Sequence, residues 1–170
     1  MGIQKWFDRN FSFFDLGPDD YGGLYTRLKT APDRLRAAVA GLSEEILVRK
    51  PGGDWSIKEH SGHLSIMEPI WRTRFHDIQD RAPVLSAADL SNRATTDANF
   101  NEKGISALLG QFLTERNATL ALLDNLNVLD ESRTSMHPRL QQPMRMIDLA
   151  YFVAEHDDHH ILRIREIAHS

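Results

Sequence analysis

The amino-acid sequence predicts an all-α protein, a four-helix bundle with long crossover connections. Three observations lead there. Four stretches of about twenty residues carry apolar side chains at helical spacing. Two long polar segments, 80–103 and 127–143, separate the second of these from the third and the third from the fourth. No run shows the alternation of a strand of any length. The chain has 170 residues and 41% hydrophobic content, enough for one domain with its own core over 1–170.

Residues 1–20 read as an arm that packs on the body, rich in aromatics (Trp6, Phe7, Phe11, Phe13, Phe14) and closed by Gly17-Pro18-Asp19-Asp20. Asp20 is placed to cap the first helix. That helix covers 21–41, with Leu24, Leu28, Ala31, Leu35, Ala38 and Val39 in register. Pro32 kinks or restarts it, and Gly41 stands at a usual C-terminal position. Ser43 to Ile46 add a turn, and Pro51-Gly52-Gly53-Asp54 make a loop. The second helix opens at Trp55-Ser56-Ile57-Lys58-Glu59. Ser56 and Glu59 have capping-box spacing, so Glu59 reads as a cap. The helix continues through His60, His63, Met67, Trp71, Phe75 and Ile78, and Pro69 bends it beside His63. The polar segment 80–103 is of a length that often covers a site. The third helix spans 104–126, with Arg116 turned partly inward between Phe112 and Leu120, toward an anionic substrate or an acid. The connection 127–143 carries His137, in a loop within reach of the bundle mouth. The fourth helix runs over 144–168.

Composition removes several function classes. Net charge is −4, which leaves no basic surplus to neutralise phosphates, so nucleic acid is not an expected partner. No apolar run reaches the length of about 18 residues needed to span a membrane. The N-terminal residues lack the apolar core of a secretion signal, and a cytoplasmic location is expected. There is no cysteine, which excludes disulfides, thiolate ligands and a cysteine nucleophile. A metal site in this chain must use His, Asp or Glu.

The fourth helix supplies such residues in one burst, Glu155-His156-Asp157-Asp158-His159-His160. On a helix, His160 lies about 40° from His156, both on the stripe that faces the core. At four residues' spacing two imidazoles can converge on one ion. Such a pair also occurs hydrogen-bonded without metal. Without partners it would be costly in a core. His159 turns to the other side. Asp157 and Asp158 read as a solvated face, Glu155 as a surface residue, and His60 and His159 as satisfied edge histidines. On the second helix, periodicity leaves His60 and His63 equally placed as a third ligand.

The segment from Trp55 to Leu64, paired with Ala154-Glu155-His156-Asp157-Asp158-His159-His160, resembles the DinB/YfiT-like family of metal-dependent enzymes. The likeness extends to Ala31-Pro32, Gly41-Leu42-Ser43 and Glu68-Pro69-Ile70-Trp71, and covers about 24–168. Membership implies a four-helix bundle holding one divalent ion, zinc or nickel foremost, on three histidines. By that resemblance the first ligand is the histidine eight residues after the tryptophan, His63, and the others are His156 and His160. It further implies a small-molecule substrate, attacked by a metal-activated water in a hydrolase or by a low-molecular-weight thiol in a transferase. A non-catalytic metal-binding or stress-response module is the alternative expectation. A homodimer is compatible with a bundle of this size.

Overall fold

The computed structural model describes residues 3–170. Its helices are α1 (Tyr21–Val39), α2 (Glu44–Val48), α3 (Ile57–Gln79), α4 (Arg93–Asp97), α5 (Ile105–Leu123) and α6 (Met146–Ala168). Two-residue strands β1 (Ser135–Met136) and β2 (Pro143–Met144) pair antiparallel in the connection before α6.

The long helices are α1, α3, α5 and α6. In the bundle α1 packs on α6 and α5, and α3 packs on the same two. The chain therefore passes diagonally from α1 to α3, and again from α5 to α6. The segment 80–103 joins α3 to α5, which lie side by side, so its length is not spent on crossing the bundle. It folds back instead. Leu85 and Met136 bond through their backbones, Leu85 N–H to Met136 O at 2.9 Å. Further on, Phe100 is buried against Gly62 of α3 so closely that a Cβ there would lie 2.5 Å from the ring.

Local chemistry accounts for the ends of the elements. Ser56 Oγ accepts from Glu59 N–H at 3.1 Å and Glu59 Oε2 accepts from Ser56 N–H at 2.8 Å, the capping box the sequence predicts. Ser43 caps α2. Gly41 follows α1 with φ +75°, a conformation that favours glycine. Asp20 departs from expectation. It makes no side-chain cap on α1, because its carboxylate accepts from Gly17 N–H at 2.7 Å and holds the preceding 3₁₀ turn. Pro32 does not break α1, which runs through it with the ring buried. The arm is anchored at Asp148 in the first turn of α6, which accepts from Phe14 N–H and from Arg145.

The apolar core falls into two parts. One gathers Phe11, Phe13, Leu28, Trp71, Phe75, Phe152 and Val153; the other gathers Leu35, Ile57, Leu64, Phe112, Ile161 and Ile164. Along α3, α5 and α6 the positions between these parts are polar: Glu68, Arg116, and the run from His156 to His160. A polar layer thus cuts the middle of the bundle.

Candidate metal centre

Within that layer α3 and α6 bring His63, His156 and His160 together, all buried, with one nitrogen from each inside a 4.8 Å cluster. His156 Nε2 lies 3.3 Å from His63 Nε2 and 3.2 Å from His160 Nε2. Two nitrogens bound at about 2.0–2.1 Å to one tetrahedral ion stand about 3.3–3.4 Å apart. The gaps match an ion's geometry.

Proton accounting points the same way. His63 Nδ1 is 2.9 Å from Thr95 Oγ1, and His160 Nδ1 is 2.8 Å from His60 Nδ1. With Nδ1–H donating in both cases, each ring turns an Nε2 lone pair toward His156. Burial, and then neighbouring charge, depresses the basicity of every ring here: His63 to about 4, His60 to about 3, and His156 and His160 well below the usual imidazole range. Protons are thus poor occupants of the point where these lone pairs meet. A divalent cation satisfies all three at once.

Tautomers follow for the rings behind. If His60 Nδ1 accepts from His160, His60 carries its proton on Nε2, a buried donor with no protein partner. His156 Nδ1 is likewise buried without a partner. His60 is therefore the ring that orients His160, and His63 is the one that faces the cluster; the structure separates two histidines that periodicity alone leaves level.

All three tryptophans of the protein surround this centre. Trp6 of the arm meets His156 edge-on at 5.1 Å between ring centroids. Trp55 lies 4.7 Å from His63 and stacks on His160 at 6.0 Å. Trp71 meets His156 at 5.4 Å. Beside them opens a cavity of about 510 Å³, walled by the histidines, by Ala88, Asp89, Leu90 and Asn92 of the folded-back segment, and by Arg74, His137 and Arg139.

Several expectations need correction. Asp157 is not on a solvated face. It is buried against Arg116, which donates to it at 2.6 Å and to Glu68 at 2.5 Å. Arg116 is thus committed to acids and out of reach of a substrate. Asp158 is half-buried and paired with Arg27 and Arg34. Glu155, also half-buried, ties Arg9 of the arm to Arg27 of α1, each at 2.5 Å. His159 does not turn away: it lines the cavity, and its Nδ1 has no partner. His137 reaches the cavity as well, and is 2% exposed. Thr95 and Arg74 also belong to the site, by contact with His63 and by lining the cavity. No sequence signal marks Thr95 within a polar segment. Arg74 had one, since eleven residues beyond His63 it lies within about 20° of the same helix face.

A diagonal-passing four-helix bundle with a buried three-histidine cluster beside a cavity defines a class of protein. The model of the DinB superfamily matches residues 27–164, and the chain belongs to that superfamily. Among curated sequences it is 30% identical over 142 residues to a protein of Bacillus licheniformis, covering 81% of this chain and 79% of that one. It is 28% identical over 143 residues to one of Geobacillus thermodenitrificans, covering 82% and 79%. Both carry, by inference, the name metal-dependent hydrolase. The solved structure of YfiT from Bacillus subtilis, described as a probable metal-dependent hydrolase with an unusual four-helix bundle topology, superposes with a TM-score of 0.80 at 18% identity, over 95% of this chain and 93% of that one. No helix among the described residues is long and apolar enough to cross a membrane.

Proposed function

We propose that this protein is a metal-dependent hydrolase of a small molecule, with one divalent ion on His63, His156 and His160. The approach of His63 Nε2 and His160 Nε2 to His156 Nε2, within one buried cluster, is the observation that carries the reading. An ion on three neutral imidazoles keeps a position open and supplies Lewis acidity and a water acidified toward neutral pH.

The chain's own residues prepare that chemistry. Thr95 and His60 hold the outer nitrogens of His63 and His160, which fixes ring orientation and keeps the inner lone pairs free. The tryptophans exclude bulk water from the centre and lower its dielectric. His60 Nε2–H presents a donor at the cavity wall, and His159 Nδ1 is a further unengaged nitrogen there. An imidazole-only ligand set favours zinc, with nickel as the next candidate.

Metal analysis of the purified protein tests this. One equivalent of divalent ion is expected, lost in His156→Ala and His63→Ala but kept in Arg116→Lys. A metal-free protein whose stability is untouched by chelator would sink the proposal. Ester and amide panels, run with and without an added low-molecular-weight thiol, separate hydrolysis from thiol transfer. A requirement for thiol would move the reaction to the transferase reading. Sedimentation at the same concentrations reports whether the protein pairs with itself.

A further inference from the structure

The cavity has a second set of polar groups, away from the histidine cluster, and they do not satisfy one another. Arg74 of α3 is 3% exposed. Its Nε donates to Ser86 O at 2.9 Å, and its Nη1 lies 3.3 Å from His137 Nε2. Among the described residues no carboxylate forms an ion pair with it; Asp77, the acid that acts on it through space, is engaged by Ser86 N–H at 2.6 Å.

The contact with His137 is not a hydrogen bond that the neutral ring can make in the tautomer its other contacts require. His137 Nδ1 lies 3.2 Å from Arg139 N and 3.1 Å from Leu140 N, and accepts from both. A ring accepting at Nδ1 carries its proton on Nε2. Nε2–H then faces Arg74 Nη1–H, donor against donor. A doubly protonated His137 would clash with the same two backbone N–H groups, and burial together with Arg74 and Arg139 depresses its basicity to about 3. Arg139 adds to the surplus. Its Nη2 is buried with no partner, and its charge bears on Arg74. Arg163, across the cavity, differs: its guanidinium is paired with Glu166 and Asp54. The excess of donors is local to Arg74, Arg139 and His137.

Buried donors without acceptors are costly, and a guanidinium without a counter-ion more so. An anionic oxygen group answers each deficit, accepting from Nη1–H, Nε2–H and the free Nη2–H, with the planar fork of Arg74 suited to two oxygens. The position relative to the centre is informative. The Arg74 guanidinium carbon lies 5.4 Å from the Trp71 ring, and that ring lies 5.4 Å from the His156 ring. A molecule small enough for the cavity would have one end at each.

We propose that Arg74, Arg139 and His137 form an anion subsite, so that the molecule bound beside the histidine cluster carries a carboxylate or phosphate group. The substrate part of this inference rests on the metal-centred reading; the anion binding itself does not.

Titration of the purified protein, as isolated, with succinate, inorganic phosphate and neutral succinamide tests it, followed by calorimetry with metal content measured on the same samples. Saturable binding of succinate or phosphate, but not succinamide, is expected, and the tighter of the two identifies the group. Arg74→Gln and Arg139→Gln should each weaken binding by about tenfold or more at unchanged metal content. Arg74→Lys, which keeps charge and fold but loses the fork, should weaken it less. Arg163→Gln should leave it unchanged. Binding equal in wild type and all three Arg74 and Arg139 variants would place the anion elsewhere, the metal included, and overturn the subsite. So would absence of binding. Anion binding by a protein shown to hold no metal leaves the subsite standing and removes the metal-centred reading; no anion binding by the wild-type protein at full metal content does the reverse.

Discussion

His156 and Asp157 are neighbours in sequence, and α6 points them about 100° apart. Asp157 meets a closed cluster. Arg116 bonds to both Asp157 oxygens, at 2.6 and 3.0 Å, to Glu68, and to Leu28 O at 2.9 Å, while Thr119 donates to the other Glu68 oxygen. Arg116 and Glu68 are 0% exposed. His156 meets an open cluster: three lone pairs converging, an outer nitrogen with no partner, and a cavity alongside. The two halves of the polar layer are buried alike. They differ in whether the chain completes them. Where every donor and acceptor is matched, the polar group sets how the helices register. Where they are not, the protein has left room for something it does not encode.

Breaking the closed half should have the largest effect. Arg116→Met strands two buried carboxylates and should cost on the order of 3–5 kcal/mol in urea unfolding. Converting Glu68, Arg116 and Asp157 together to apolar residues of similar volume should cost less than that single change, because no charge is left unpaired. If the triple variant proves the less stable, the cluster stabilises through more than mutual satisfaction.

The open half should be sensitive to acid. In the folded chain His63 and His159 take up protons only near pH 4 and His60 near 3, against 6.5 when exposed. Between those values the unfolded chain binds more protons than the folded one. Stability of the metal-free protein is therefore fully present above about pH 6.5 and falls as pH drops through the window to about 4. Urea midpoints measured across that range would show it. A flat profile from pH 7 to about 4.5 would mean that these rings are not buried and neutral.

The difference between the halves also explains what the sequence disclosed. Helix periodicity, the Ser56–Glu59 box and Gly41 are local signals: periodicity found the four long helices, though it carried the third to 126 where it closes at Leu123, and the box and Gly41 marked element ends. The His156–His160 pair was legible because four residues on one helix define a single face. Its partner on α3 was not, since His60 and His63 both face inward and only the packing of α6 decides which ring meets the cluster and which stands behind His160. Asp157 was misread for a related reason. A charged residue on an amphipathic helix looks solvated until an arginine from another helix, 41 positions away, is known to cover it. Arg74 lies on α3 while His137 and Arg139 sit in the connection before α6, and nothing in spacing announces their shared shortage of acceptors.

Gly62 links the folded-back segment to the open half. An alanine there would gain up to about 1 kcal/mol in helix propensity. Its Cβ would also sit 2.5 Å from three carbons of the Phe100 ring, which is 2% exposed. Overpacking of this kind costs about 1–3 kcal/mol. The clash should win, so Gly62→Ala should lower the urea midpoint and loosen metal binding together. A stabilised variant would show that Phe100 can shift freely.

The smallest expected change tests how the open half is held ready. Thr95→Val keeps shape and removes the hydroxyl 2.9 Å from His63 Nδ1. Thr95 is 2% exposed, so water would not readily take its place. His63 would then lose the acceptor that fixes its proton on Nδ1, and part of its population would shift that proton to Nε2, where it blocks the lone pair. Metal affinity should fall by about tenfold, within the range seen when such outer partners are removed. Because the closed cluster is untouched, metal-free stability should change by less than Arg116→Met does. Competition with a chelating dye measures the first quantity and urea unfolding the second. Unchanged affinity would show that α3 packing alone orients His63, and that the segment 80–103 covers the centre without tuning it.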